Sequence, residues 1–180
     1  MSNDTALLVI DVQAGMFAEN PPVHNGSELL AKIQDLLEKA RASQTPVIYV
    51  RHNEKPGGSL ETGTEGWQIH PAIAPRENEP IVDKRTPDSF WDTDLQQVLT
   101  SQNIKKLVVC GIQTEMCVDT TTRRACSMGY DIILVTDAHS TWDTDLLTAE
   151  QIIAHHNAVL INWFANGQRA AEVDFEKVTA

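Results

Sequence analysis

The chain has 180 residues, of which 42% are apolar, and a formal net charge of −11 at neutral pH. That length supports one full hydrophobic core and leaves little for a second, so a single domain over residues 1–180 is expected. The acidity argues against phosphate backbones and anionic membrane surfaces as partners, because both would repel the chain, and by itself it names no substrate.

Met1 to Asp4 run straight into a strand-like segment with neither a basic n-region nor an apolar h-region, and no apolar stretch is long enough to span a bilayer, so a cytoplasmic location is expected. Cys110, Cys117 and Cys126 are odd in number and spaced for neither a disulfide framework nor a zinc site. Cys110 falls inside an apolar run. Cys126, nine residues after Cys117, should point to the opposite side of a shared helix.

In chain order, Ala6 to Ile10 is a continuous apolar run, the pattern of a strand covered on both faces, and it ends in Asp11. Gln13 and Phe17 follow in the loop and are candidates for substrate contact. Ser27 to Ala42 carries Leu29, Leu30, Ile33, Leu36, Leu37 and Ala40 at helical spacing and reads as a crossover helix. Val47 to Val50 is a second strand, followed by Arg51, His52, Asn53 and Glu54. The Gly- and Thr-rich stretch from Lys55 to Gly66 is long for a connection, and the apolar anchors Trp67, Ile69 and Ile73 favour an ordered, pocket-forming loop. Ile81 and Val82 make a short strand that runs into Lys84, which by residue type alone would be a solvated surface charge. Asp92 or Thr93 caps a helix to about Ser101. Leu107 to Cys110 and Ile132 to Val135 are further strands, the latter ended by Asp137; Thr148 to His156 is a helix and Ala158 to Ile161 a last strand.

The alternation specifies an α/β fold, a three-layer αβα sandwich with a mainly parallel sheet of about six strands and helices on both faces. Ligands in such sheets bind outside the carboxyl ends of the strands, where the strand order reverses. Asp11, His52, Lys84 and Cys117 all fall just past strand carboxyl ends and would share one rim.

Between the strands at Leu107 and Ile132, Thr114 stands where a helix N-cap would go and Cys117 falls in the first turn. Free N–H groups and the helix dipole there would make the thiol easier to ionise. Thr121 and Ala125, small residues on the same face, would let the helix lie close to the sheet. Asp11 as base and Lys84 as cation would complete a set suited to acyl transfer through a thioester.

The segments LLVIDVQ, VDKRTPDSFWDTDL, VVCGIQTEMCVDTTTRRA and GYDIILVTDAHST resemble the isochorismatase-like cysteine hydrolases, which include nicotinamidases and N-carbamoylsarcosine amidases. The most specific is G-x-x-T-x-x-C-V-x-x-T, in register with the other segments. The resemblance implies a catalytic Asp11, Lys84 and Cys117. It also implies a cis peptide between Ile112 and Gln113, an oxyanion hole from the Gln113 and Cys117 N–H groups, and a homo-oligomer. Members that hydrolyse the isochorismate vinyl ether do not use the cysteine, so Cys117 points to cleavage of a C–N bond in a small amide, carbamoyl or ureido compound. The alternatives are vinyl-ether hydrolysis by Asp11 and a non-catalytic binding protein on the same fold.

Nicotinamidases carry an Asp-x-His motif and a further histidine for a metal after the second strand, where this chain has His52, Glu54 and, later, His70. No metal or cofactor is assigned on so partial a match. His52 and Trp67 remain candidates for substrate contact, and His24, His139, His155 and His156 read as surface or capping residues.

Overall fold

The computed structural model describes residues 4–18 and 20–176. Six parallel strands, β1 (Thr5–Ile10), β2 (Val47–His52), β3 (Ile81–Lys84), β4 (Lys106–Ile112), β5 (Asp131–Ser140) and β6 (Asn166–Gln168), form one sheet in the order β3-β2-β1-β4-β5-β6. The chain builds outward from β1 to β3, then crosses back to add β4 on the other side of β1. The order therefore reverses between β1 and β4, and a crevice opens past their carboxyl ends.

The apolar run of β1 is fully buried because the sheet is covered on both faces. Leu7 and Val9 pack with Leu29, Ile33, Leu36, Leu37 and Ala40 of the helix α2 (Gly26–Ala42), which follows the one-turn-plus helix α1 (Ala14–Ala18). Ala6, Leu8 and Ile10 pack on the opposite face. There they meet Leu95 and Leu99 of α3 (Leu95–Ser101), Ala125 of α4 (Asp119–Ser127) and Leu160 of α5 (Ala149–Trp163). Each buried Leu or Ile contributes about 1.5–3 kcal/mol, and alternate residues of each strand feed alternate layers.

Four local expectations need correction. Ala158 to Ile161 is not a strand: it lies in the last turns of α5, which a capping box of Thr148 and Gln151 starts and which buries Leu160 in the core. The sixth strand is instead Asn166–Gln168, which carries no apolar residue and so no periodic signal. Asp137 does not end β5, which continues to Ser140; its Oδ1 accepts from the Ala170 N–H. The N-cap of α3 is Asp94, while Thr93 Oγ1 accepts from the Leu95 N–H at 3.3 Å and donates to the Ser89 carbonyl.

The loop after β2 is tied back on itself: Glu54 accepts from the Leu60 N–H at 2.9 Å, the Glu54 N–H donates to the Leu60 carbonyl, and Leu60 is buried. Among the described residues no helix is long and apolar enough to cross a membrane.

Gly111 sits opposite Ile10 in the β1–β4 register, with φ +133. A Cβ there would meet the Ile10 carbonyl oxygen and, at 2.7 Å, the Ile10 nitrogen. Gly129 also has positive φ, +89, but open space around it. Gly129→Ala should therefore cost only the left-handed penalty, about 1–2 kcal/mol. Gly111→Ala should cost at least about 3 kcal/mol, because β4 must separate from β1. Urea unfolding of both variants checks this, and equal losses would contradict it.

Candidate active site

Three strand ends bring the site together. β1 delivers Asp11, which adopts a left-handed backbone conformation with φ 51 that costs about 1–3 kcal/mol and turns its carboxylate into the crevice. β3 ends in Lys84, whose side chain, like that of Asp11, is wholly buried. The Lys84 ammonium pairs with Asp11 Oδ2 at 2.5 Å and donates to Cys117 Sγ at 3.1 Å. Residue type alone would leave Lys84 in solvent; burial is possible here because the carboxylate, the sulfur and the Nδ1 of His52, at 3.3 Å, surround its nitrogen.

Cys117 does not lie in the first turn of an α-helix. Residues Thr114–Val118 form a single wide π-helical turn, in which the Gln113 carbonyl accepts from the N–H groups of Met116 and Val118, and α4 starts only at Asp119. The Ile112–Gln113 peptide that leads into the turn is cis. Thr114 is no cap either: its hydroxyl meets His139 Nδ1 at 2.9 Å. His139 Nε2 in turn meets Asn157 Oδ1 at 2.9 Å, and the Asn157 amide donates to the Thr136 carbonyl. That last bond orients the amide, so His139 carries its proton on Nε2 and accepts from Thr114. His139 is thus a buried support of the turn and not a surface residue, and burial holds its pKa down at about 4. Thr121 stays buried against the segment after Lys84, its hydroxyl 2.8 Å from Ser89 Oγ. Cys126 does not face away from the core but packs, as Cys117 does, against the same apolar layer.

The electrostatics overturn the expectation of a readily ionised thiol. Burial, and then the neighbouring Asp11 carboxylate, push the Cys117 thiol up to about 12, and Lys84 offsets only part of this. Burial works against the Lys84 ammonium, yet Asp11 and Cys117 more than compensate, so its pKa is raised. The resting set is a neutral thiol, a carboxylate and an ammonium. Among the described residues neither Asp11 carboxylate oxygen has a hydrogen bond in bonding geometry, so the pair with Lys84 is a charge contact and the carboxylate is open to a proton from the thiol beside it.

The remaining candidates separate. Gln13 is fully buried and its amide is taken up: Oε1 accepts from the His52 N–H, and Nε2 donates to the carbonyls of His52 and Trp67, each at 2.9 Å. It is a clasp between strand ends and not a substrate contact. Phe17 stacks on His70 at 4.6 Å beside a shallow hollow with Ile69 and Pro71, outside the set around Lys84. Trp67 lines a cavity of about 340 Å³ that reaches Lys84, with Asn53, Asp83, Arg85, Trp91 and Asp92. The Arg51 guanidinium covers one face of its ring at 3.4 Å, and its Nε1 donates to Asn53. Phe90 is buried in the core, whereas Trp91 stands exposed at the cavity mouth.

His52, Glu54 and His70 are engaged separately, with Lys84, the Leu60 N–H and the Ala72 N–H respectively. Among the described residues no three His, Cys, Asp or Glu side chains converge to hold a metal ion. A larger hollow of about 960 Å³ lies at the opposite end of the strands, between Lys39, Lys106, Asp131 and Phe175, and no cysteine or histidine lines it.

Comparison with known proteins bears on the family and the fold. The isochorismatase domain model matches residues 5–162. A streptothricin hydrolase of Streptomyces noursei is 38% identical over 138 residues, which cover 77% of this chain and 55% of that enzyme, so the chain spans about half the length of that relative. A secreted isochorismatase effector of Verticillium dahliae is 36% identical, with 84% of this chain and 80% of that protein covered. The crystal structure of a cysteine hydrolase from Pseudomonas syringae pv. phaseolicola superposes with a TM-score of 0.90 at 26% identity, covering 99% and 93% of the two chains. The all-parallel sheet with its helices is the αβα fold of these proteins, and the chain belongs to the isochorismatase family.

Proposed function

We propose that this chain is a hydrolase that cleaves the C–N bond of a small amide, carbamoyl or ureido compound through a thioester on Cys117. The observation that carries the reading is the buried ammonium of Lys84 in contact with both the Asp11 carboxylate and the Cys117 sulfur. A thiol beside a carboxylate in a site shielded from water is the equipment of a nucleophile with its base. Protonating a vinyl ether would need the acid alone.

The thiol attacks the substrate carbonyl carbon as its proton moves to Asp11. Because burial and the Asp11 carboxylate disfavour the thiolate, the proton leaves as the S–C bond forms. The carbonyl oxygen gains negative charge against the backbone N–H groups of Gln113 and Cys117, a contribution of about 3–4 kcal/mol per donor in enzymes where it is measured. The C–N bond then breaks and Asp11 returns the proton to nitrogen, releasing ammonia or an amine. Water attacks the thioester and passes its proton to Asp11; the C–S bond breaks and the sulfur recovers the proton. Lys84 stays charged throughout and keeps the carboxylate aligned. Thioester chemistry of this kind asks for a thiol, a base and water.

A streptothricin hydrolase among the relatives supports hydrolysis as the reaction class. A cavity walled by Trp67 and Trp91 adjoins Lys84 and would take a flat or apolar part of a small substrate, while Asp11 and Cys117 do not line it. The family resemblance adds the expectation of a homo-oligomer acting on a small-molecule substrate, and a cytoplasmic location stays an expectation from the sequence.

A panel of amides, ureas and carbamates scored for released ammonia tests the reaction. Cys117→Ala should lower turnover by about 10⁴-fold or more while the melting temperature stays within a few degrees. Turnover of isochorismate by Cys117→Ala at the wild-type rate would replace this reading with acid catalysis by Asp11. Lys84→Met leaves the Asp11 carboxylate buried and unpaired, so it should lose activity and about 3–5 kcal/mol of stability in urea unfolding. The raised thiol pKa has its own signature: the 240 nm difference between wild type and Cys117→Ser should show no thiolate from pH 6 to about pH 9. A thiolate band growing in through pH 7 would contradict the resting state described above.

A further inference from the structure

We propose that His52 is a positioning residue for this site: its Nδ1 accepts the third N–H of the Lys84 ammonium and thereby fixes where the other two point. The inference rests on the roles proposed above for Asp11, Lys84 and Cys117. An ammonium has three donors and no acceptor, so the contact between Lys84 Nζ and His52 Nδ1 at 3.3 Å has one reading: the lysine donates and the ring accepts. The proton of neutral His52 therefore sits on Nε2. Cys117 Sγ accepts a second N–H, and the Asp11 carboxylate holds the ammonium from a further side by charge.

The backbone prepares this contact from two sides. His52 and Lys84 are partners in the parallel β2–β3 register, where neighbouring side chains share a face. The Gln13 amide accepts from the His52 N–H and donates to the His52 carbonyl, which immobilises that peptide. Gln13 lies two residues after Asp11, so a closed circuit runs from Asp11 along the chain to Gln13, across to His52, on to Lys84 and back to Asp11. Each link fixes the next. A wholly buried ammonium with only two acceptors would keep an unsatisfied N–H and be free to turn toward one partner at the expense of the other.

The charged groups around the ring favour the accepting form. Burial and the nearby Lys84 ammonium lower the His52 pKa, and the carboxylates of Asp11 and Glu54 oppose them more weakly, so the ring is neutral near pH 7. In acid, a protonated ring would have no lone pair for Lys84 and would set a second cation beside it.

The test uses replacements that separate the acceptor from the ring. In His52→Asn the side-chain Oδ1 can stand close to where Nδ1 was; His52→Ala has no acceptor. The kcat for ammonia release from an amide found by the panel should stay within about threefold of wild type in His52→Asn and fall at least tenfold in His52→Ala, with both variants melting within a few degrees of wild type. An alanine variant that reacts at the wild-type rate, or an asparagine variant as slow as alanine, overturns the proposal. A wild-type enzyme that releases ammonia from no amide in the panel would instead count against the nucleophile assignment. In that event the Lys84 ammonium still reports on His52: its ¹⁵N–¹H signal should persist in wild type and His52→Asn and vanish by rapid exchange in His52→Ala. A persistent signal in His52→Ala would overturn the positioning role independently of sulfur chemistry.

Discussion

The site depends on one ion pair, Asp11 with Lys84, held where no water reaches either side chain. Removing two charges from water costs several kcal/mol each, and their attraction does little more than offset that cost, so the pair is weak evidence of stabilisation. Its effect is on direction and protonation. The carboxylate keeps the lysine charged, and the lysine keeps the carboxylate aimed at the sulfur. The fold supplies what makes this tolerable: the carboxyl ends of β1 and β3 and the turn after β4 meet on one rim, and the acceptors that complete the ammonium come from β2 and from that turn.

A neutral thiol in the resting site changes how the sulfur is understood. A preformed thiolate would react with any electrophile that reached it. A thiol whose proton leaves only as a bond forms waits for a carbonyl placed between sulfur and oxyanion donors. The turn that carries Cys117 is built for such placement. The Gln113 carbonyl, the Thr114 hydroxyl and the Glu115 carboxylate each hold it, through Met116 and Val118, His139 and Thr141 respectively.

Much of this was legible in the residues. The continuous apolar run before Asp11, the helical spacing from Ser27 to Ala42 and the alternation of elements specify a covered parallel sheet, and a strand-end rule then places Asp11, Lys84 and Cys117 on one rim. What failed did so for physical reasons. Residues 158–161 are β-branched and apolar enough to read as a strand, but a capping box and burial of Leu160 favour helix. Asn166–Gln168 joins the sheet by backbone pairing and a hydrogen bond from the Thr136 hydroxyl, with no apolar pattern to read. The thiol was misjudged because a helix terminus contributes only about 0.3–1 kcal/mol, less than burial and an adjacent carboxylate, and because the turn is π-helical. Gln13 and His52 were taken for substrate contacts since their partners, the Trp67 carbonyl and the Lys84 ammonium, arrive from distant segments.

The account stands on covalent catalysis by Cys117, and trapping the intermediate tests that most directly. Wild-type enzyme turning over an amide identified by ammonia release should, in the presence of hydroxylamine, yield the hydroxamate of the acyl group. Acid-quenched samples should carry that acyl mass on the Cys117 peptide. Sustained turnover with neither hydroxamate nor an adduct on Cys117 would contradict the thioester route.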